Sequence, residues 1–194
     1  LWPSTLVPVT LCSEDLSGVR HVGETAVGAS LPPPARLWLE PQDAEALPEA
    51  LLAILQADLV LLAPGSLYTS TIPNLLIPEV RGAVARAGAP VVYVANLMTQ
   101  PGESQGLDLE AHVAAVQAWG AMPLARVIVN TTPPPAELLA RYRALGAEPL
   151  ASPGPTVCGV PVHPAELLDV RAPVLRHDPV RLNRALRDVI GTLS

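Results

Sequence analysis

The spacing of apolar positions changes near residue 45. Before it, apolar segments at 7–11 and 19–27 flank Ser17-Gly18, and a third lies at 36–39. Bounded by turn residues, they predict a β-hairpin followed by another strand. From Leu47 the period becomes helical, with Leu47, Leu51, Ile54 and Leu55 forming one stripe. The segment 58–63 follows, continuously apolar after Asp58, which is the pattern of a strand buried on both faces. The cycle then repeats. A helix at 79–87 precedes a strand at 91–95. A helix at 108–119, with Leu109, Val113 and Val116 inward, precedes a strand at 126–129. A helix at 136–145, with Leu138, Tyr142 and Leu145 on one side, precedes a short extended piece at 148–150. The final helix, 178–193, has Asp178 as N-cap, Pro179 at its first position, and Leu182, Leu186 and Val189 inward. Alternating strands and helices predict one α/β domain, a parallel sheet with helices on both faces. Its expected core is Leu59, Val60, Leu61, Leu62, Val91, Val92, Val94, Val127, Ile128 and Val129.

Composition narrows the partners. The 194 residues are 49% hydrophobic, with no phenylalanine, so aliphatic side chains must build the core. All 12 basic residues are arginine and 18 are acidic, a net charge of −6. An acidic chain without a basic cluster argues against nucleic acid or an anionic membrane surface. The longest apolar run, 59–64, is too short to span a bilayer, so no membrane insertion is expected. Cys12 and Cys158 have neither metal-ligand spacing nor a disulfide framework, and read as free thiols in a reducing compartment. The 23 prolines, more than twice the usual ~5%, punctuate at 32–34, 101, 133–135, 153 and 155 as stiff connections. No metal site is expected: His21, His112, His163 and His177 lack ligand spacing and read as packed or surface residues.

In open parallel sheets, ligands bind beyond the carboxyl ends of the strands. The segments there are polar. Gly65, Ser66, Leu67, Tyr68, Thr69 and Asn74 follow the first strand of the sheet. Asn96, Met98, Thr99, Gln100, Gly102 and Glu103 follow the second, and Asn130 the third. Glycine, hydroxyls and amides without lysine suit a phosphate or sugar held by backbone N–H groups and neutral side chains. Ordinary turns and helix caps account for the same pattern. Ser66 is outside a G-x-S-x-G elbow, and no dinucleotide or Walker glycine pattern occurs. Glu103 and Asp178 as an acid/base pair compete with loop and helix-cap roles.

Residues 65–76, GSLYTSTIPNLL, and 96–103, NLMTQPGE, resemble the YvcK/CofD-like family of gluconeogenesis factors. The similarity continues at 127–130, at Arg141-Tyr142, at 146–149 and at 176–179, and includes Gly23-Glu24-Thr25 and 39–41. The resemblance implies a cytoplasmic Rossmann-like protein that binds UDP-type nucleotide sugars and supports cell-wall metabolism and cell shape. It also implies that Gly65, Ser66, Asn74, Asn96, Thr99 and Glu103 line the ligand crevice, and that Tyr142 and Arg176 contact the nucleotide sugar. The related 2-phospho-L-lactate transferase moves a phospholactyl group to a deazaflavin precursor. The family's Gly-Gly-Gly-Thr-Gly loop is missing from this chain, which is therefore expected to be the carboxy-terminal part of a larger domain. Pro179 stands where some relatives carry a hydroxyl.

Two functions follow. The favoured one is a nucleotide-sugar-binding regulator without turnover and with no firmly implied cofactor; its alternative is a phospholactate-type transferase, the one reading under which Mg is a possible cofactor. The three loops offer one carboxylate and no cation, which favours the regulator, since phosphoryl-type transfer leans on metals or strong charge neutralisation. A structural or homo-oligomeric role stays open.

Overall fold

The computed structural model describes residues 1–31, 33–152 and 154–193; the stiff connections expected at Pro32 and Pro153 lie outside them. The chain first builds a three-stranded antiparallel sheet from β1 (Thr10–Glu14), β2 (Arg20–Val22) and β3 (Arg36–Glu40), in the order β2-β1-β3. The Asp15 carboxylate folds the hairpin by accepting from Ser17 N–H (2.8 Å) and Val19 N–H (3.0 Å), while Gly18 takes φ 83°. Strand alternation turns Leu11, Leu37 and Leu39 toward the core. The expected hairpin is present but shorter. Residues 7–9 stay outside the sheet, and Gly23, at φ 89°, turns 24–28 into a short helix, α1 (Glu24–Gly28), instead of extending the strand.

The second sheet has the order β4-β5-β6-β8-β7, with β4 (Val60–Leu62), β5 (Val91–Val94), β6 (Arg126–Asn130) and β8 (Val160–Ala165) parallel. The two-residue strand β7 (Thr156–Val157) pairs antiparallel to β8. On one face lie α2 (Pro48–Leu55), α3 (Ile72–Leu76), α4 (Pro78–Ala87) and α5 (Leu109–Gly120), packed with the small sheet against Val91, Tyr93, Val127 and Val129. On the other, α6 (Ala136–Ala144) and α7 (Pro179–Leu193) set Leu139, Leu182, Leu186 and Val189 against Val92, Val94 and Ile128. The caps match the expectation: Asp108 accepts from Ala111 N–H, and Asp178 accepts from Val180 and Arg181 N–H.

Three expectations need correction. Leu61 is exposed (38%), and Leu59, Val60 and Leu62 are only partly buried, because β4 is the edge strand with no helix over its outward face among the described residues. Leu145 is also exposed, at the end of α6. Finally, 148–150 forms no parallel strand: Pro149 makes a single antiparallel bridge to Met98. The fourth parallel strand is β8, which Pro161 and Pro164 disguised in the sequence, since proline removes a ladder donor. Cys158 and Gly159, at φ 48° and 75°, form the tight turn from β7 to β8. Positive φ at both central residues is what a type I′ hairpin turn requires.

Candidate functional site

The carboxyl ends of β4 and β5 open onto a cleft of about 450 Å³. Gly65, Asn96, Met98, Thr99, Gln100, Tyr142 and Arg176 all line it, so residues from four separate segments meet there. The cleft is largely apolar, walled also by Pro64, Leu97, Leu145, Ala147 and Leu175. That accounts for the exposed Leu145, which looks into the cleft instead of the core.

Each polar residue is held by a named partner. Asn96 Nδ2 donates to the Gly65 carbonyl at 2.8 Å, tying the two loops together, while its buried Oδ1 has no partner among the described residues. Thr99 is buried and exchanges bonds with Glu148: its N–H donates to the Glu148 carbonyl at 2.7 Å, and its hydroxyl accepts from Glu148 N–H at 2.9 Å. The Thr99 hydroxyl therefore fixes the cleft wall. Tyr142, on α6, accepts from Leu175 N–H through its phenolic oxygen at 3.2 Å. The Arg176 guanidinium gives Nε and Nη2 to one Asp169 oxygen, at 3.3 and 3.2 Å. The Arg171 amide first, then Arg176, hold the Asp169 carboxyl below its usual range. The Arg176 guanidinium is exposed, so the pair contributes little and the arginine can exchange it for a ligand anion.

His177 was read as a packed or surface histidine, and the structure places it in the cleft wall. Burial pushes its pKa below the ordinary value, against a ring hydrogen bond to the Ala95 carbonyl, so the ring is neutral at pH 7. Its neighbour Arg176 carried a signal in sequence; a lone histidine carries none.

The loop after β4 behaves differently. Residues Leu67–Thr71 wind into one π-helical turn continuing into α3, where the sequence suggested only a loop. Leu67 and Tyr68 are buried beneath it and face the core. Glu103 is fully buried, and its Oε1 accepts from Tyr68 N–H (2.7 Å), Thr69 N–H (2.9 Å) and the Thr69 hydroxyl (3.3 Å). The amides of Ser70 and Thr71 return to the Ser66 carbonyl. The N–H groups of residues 68–71, in the loop expected to hold an anion through its backbone, are thus taken up internally. Glu103 braces the turn instead of facing the cleft, and burial, outweighing those bonds, raises its pKa. Asp178, its suggested partner in acid/base chemistry, caps α7.

Three more residues lie apart from the cleft. Asn74 bridges Ser4 and the Ser70 carbonyl. Asn130 closes a turn with Thr132 and receives Leu167 N–H. Gly102, at φ 81°, lets the 100–104 loop approach α1; a Cβ there would stand 3.0 Å from the Gly28 carbonyl. Ser66 and Thr69 line a second cavity of about 390 Å³, with Gln100 shared between the two spaces.

A larger cavity, about 830 Å³, lies between β8 and α7. Arg181 pairs there with Glu166 at 3.2 Å, and of the residues singled out in the sequence as binding or acid/base candidates it holds Asp178, which caps α7. Among the described residues no group of three His, Cys, Asp or Glu side chains could hold a metal ion, and no helix is long and apolar enough to cross a membrane.

Comparison with known proteins agrees with this architecture. A protein of the UPF0052 family from Bacillus halodurans, solved by crystallography, superposes with a TM-score of 0.86 at 30% identity, covering 96% of this chain and 61% of that one. The gluconeogenesis factor of Bacillus subtilis is 32% identical over 97% of this chain and 60% of its own length. That of Listeria monocytogenes is 34% identical over 71% of this chain and 43% of its own. The chain thus spans at most about 60% of the curated relatives it matches. The model of the family described as 2-phospho-L-lactate transferase CofD matches residues 1–160. Matching that model over most of its length, with gluconeogenesis factors as its relatives, this chain belongs to the CofD family.

Proposed function

We propose that this chain forms the ligand-binding region of a cytoplasmic, UDP-sugar-binding regulatory protein linked to cell-wall metabolism and cell shape. The observation that carries the reading is the convergence of Gly65, Asn96, Gln100, Tyr142 and Arg176 on one cleft beyond the carboxyl ends of parallel strands. Its volume of about 450 Å³ falls in the range of small-molecule sites. Leu97, Met98, Leu145 and Leu175 offer the apolar walls that a flat base packs against, and Asn96 and Gln100 offer amides at its edge. Arg176 can leave Asp169 for a diphosphate, giving it two parallel N–H donors.

The test is a ligand-stabilisation screen on the full-length protein with UDP-sugars, GDP, NAD and deazaflavins. A rise in melting temperature with UDP-sugars, above that with the others, is the expected result. A response confined to GDP and deazaflavins would replace the reading with the second one, a phospholactyl transferase, which the description of the matching family favours. In that case turnover should depend on Mg²⁺.

A further inference from the structure

The smaller cavity differs from the cleft in chemistry as well as size. It lies between α1 and the π-helical turn, and is lined by Glu24, Thr25, Gly28, Ser66, Thr69 and Gln100. All but Gly28 carry polar side chains, and none is a cation. At the boundary with the cleft, Ser66 Oγ donates to Gln100 Oε1 at 2.8 Å, and Gln100 borders both spaces. Gly28 lies beside Thr69, where a Cβ would meet Thr69 Cγ2 at 3.4 Å, an ordinary contact.

The groups around this cavity are unequally engaged. Thr69 and Ser66 spend their hydroxyl protons on Glu103 and Gln100. The Glu24 carboxylate and the Thr25 hydroxyl have no partner among the described residues, and both are exposed. With Oε1 engaged by Ser66, the Gln100 amide presents its NH₂ group as a donor. A carboxylate, a free hydroxyl and an amide NH₂ offer acceptors and donors side by side, which is what neighbouring hydroxyls of a sugar require. A phosphate is poorly served here, because a carboxylate repels it and no arginine is present to neutralise it. A metal ion is poorly served too, since Glu24 is the one carboxylate lining the cavity.

We propose that this cavity is the sugar subsite of a two-compartment site, with Glu24 and Thr25 reading the sugar hydroxyls while the cleft holds the nucleotide. The inference rests on the nucleotide-sugar reading above and adds to it an assignment of which moiety each space takes. It gives the small antiparallel sheet a function, because α1 is carried directly on β2 through the turn at Gly23. Gln100 then sits at the junction, where the ligand must displace or bridge the Ser66 contact.

The test is isothermal titration of the full-length protein with UDP, UDP-glucose and UDP-N-acetylglucosamine. It compares the unchanged protein with Glu24→Gln and Thr25→Val, each checked for an unaltered melting temperature. The unchanged protein should bind at least one UDP-sugar about tenfold or more tighter than UDP, the worth of one charge-assisted hydrogen bond. Glu24→Gln should remove most of that preference, and Thr25→Val part of it, with UDP affinity held within about twofold. A preference that survives both substitutions, or UDP and UDP-sugars bound equally by the unchanged protein, would overturn the subsite and leave the nucleotide reading intact. Binding of neither UDP nor any UDP-sugar would overturn both.

Discussion

Strands β4 and β5 are neighbours, parallel, built from the same aliphatic residues, and each followed by a polar loop with a glycine. They end up doing different work. Every residue of β5 is buried, and its loop runs along the cleft, with Asn96, Met98, Thr99 and Gln100 in the wall. In β4 Leu61 faces outward, and its loop coils into a π-helical turn whose first amides are held by Glu103, a residue of the β5 loop. The lesson is that polar residues after a strand are not equivalent: one loop presents its groups to a cavity, and the other spends them on its own geometry.

The sharpest way to break this contrast is Glu103→Ala. It would strip two amide N–H groups and one hydroxyl of their acceptor inside the protein, at roughly 1–3 kcal/mol for each buried group left unpaired. A total loss of about 3–5 kcal/mol in urea unfolding is expected on that count, and a loss below about 1 would mean the turn is held some other way. Val92→Ala comes next. Its side chain is fully buried between β5 and the α6–α7 face, and its truncation should cost about 2–3 kcal/mol by the same measurement. Arg176→Ala should leave unfolding unchanged within about 0.5 kcal/mol, since its guanidinium is exposed and Asp169 still accepts from Arg171 N–H. It should weaken UDP-sugar binding by about 1.5–3 kcal/mol in titration calorimetry; unchanged affinity would remove Arg176 from the site.

Acidity offers a subtler probe of the Glu103 brace. Its pKa is raised in the folded state, so between the ordinary glutamate value and the raised one the native chain binds more protons than the unfolded chain. Its contribution to stability therefore grows as pH falls through that window and is lost as pH rises. Glu103→Gln keeps an acceptor for both amides and cannot titrate. The difference in melting temperature between Glu103→Gln and the unchanged protein should shift in favour of the variant as pH rises through the window and level off above it. A difference independent of pH would show that Glu103 does not titrate there. The smallest effect expected is for Leu61→Ala, under about 1 kcal/mol although more methylene is removed than at Val92, because little burial is lost. A cost above about 2 kcal/mol would show that something covers β4.

The legible part of the fold was what short-range spacing encodes. The helices at 79–87, 108–119 and 178–193 and the valine strands at 91–95 and 126–129 follow from periodicity and from the Asp108 and Asp178 caps, all local signals. The strand β8 was hidden because Pro161 and Pro164 break the local strand pattern, although the turn at Cys158-Gly159 carried a usable hint in its flanking valines. In the site, Gly65, Asn96, Met98, Thr99 and Gln100 were legible as cleft residues because strand ends in a parallel sheet point the same way, whereas Tyr142 and Arg176 were named only through the family resemblance. Which of them face a ligand was not legible. Gly65 and Arg176 border the cleft, whereas Glu103, Asn74 and Asn130, of equal promise in sequence, are spent on intramolecular bonds.

By itself, then, the sequence determined the alternation of strands and helices, the caps, and a concentration of amides and hydroxyls at the strand ends, because each depends on neighbours within a few residues. Strand order, which made β4 an edge and exposed Leu61, was decided by pairing across the sheet. So was the pairing of Glu103 with amides 34 and 35 positions away, and the approach of Arg176 and His177 to Asn96. Contacts at such separations depend on how layers pack, and a one-dimensional pattern contains no term for them.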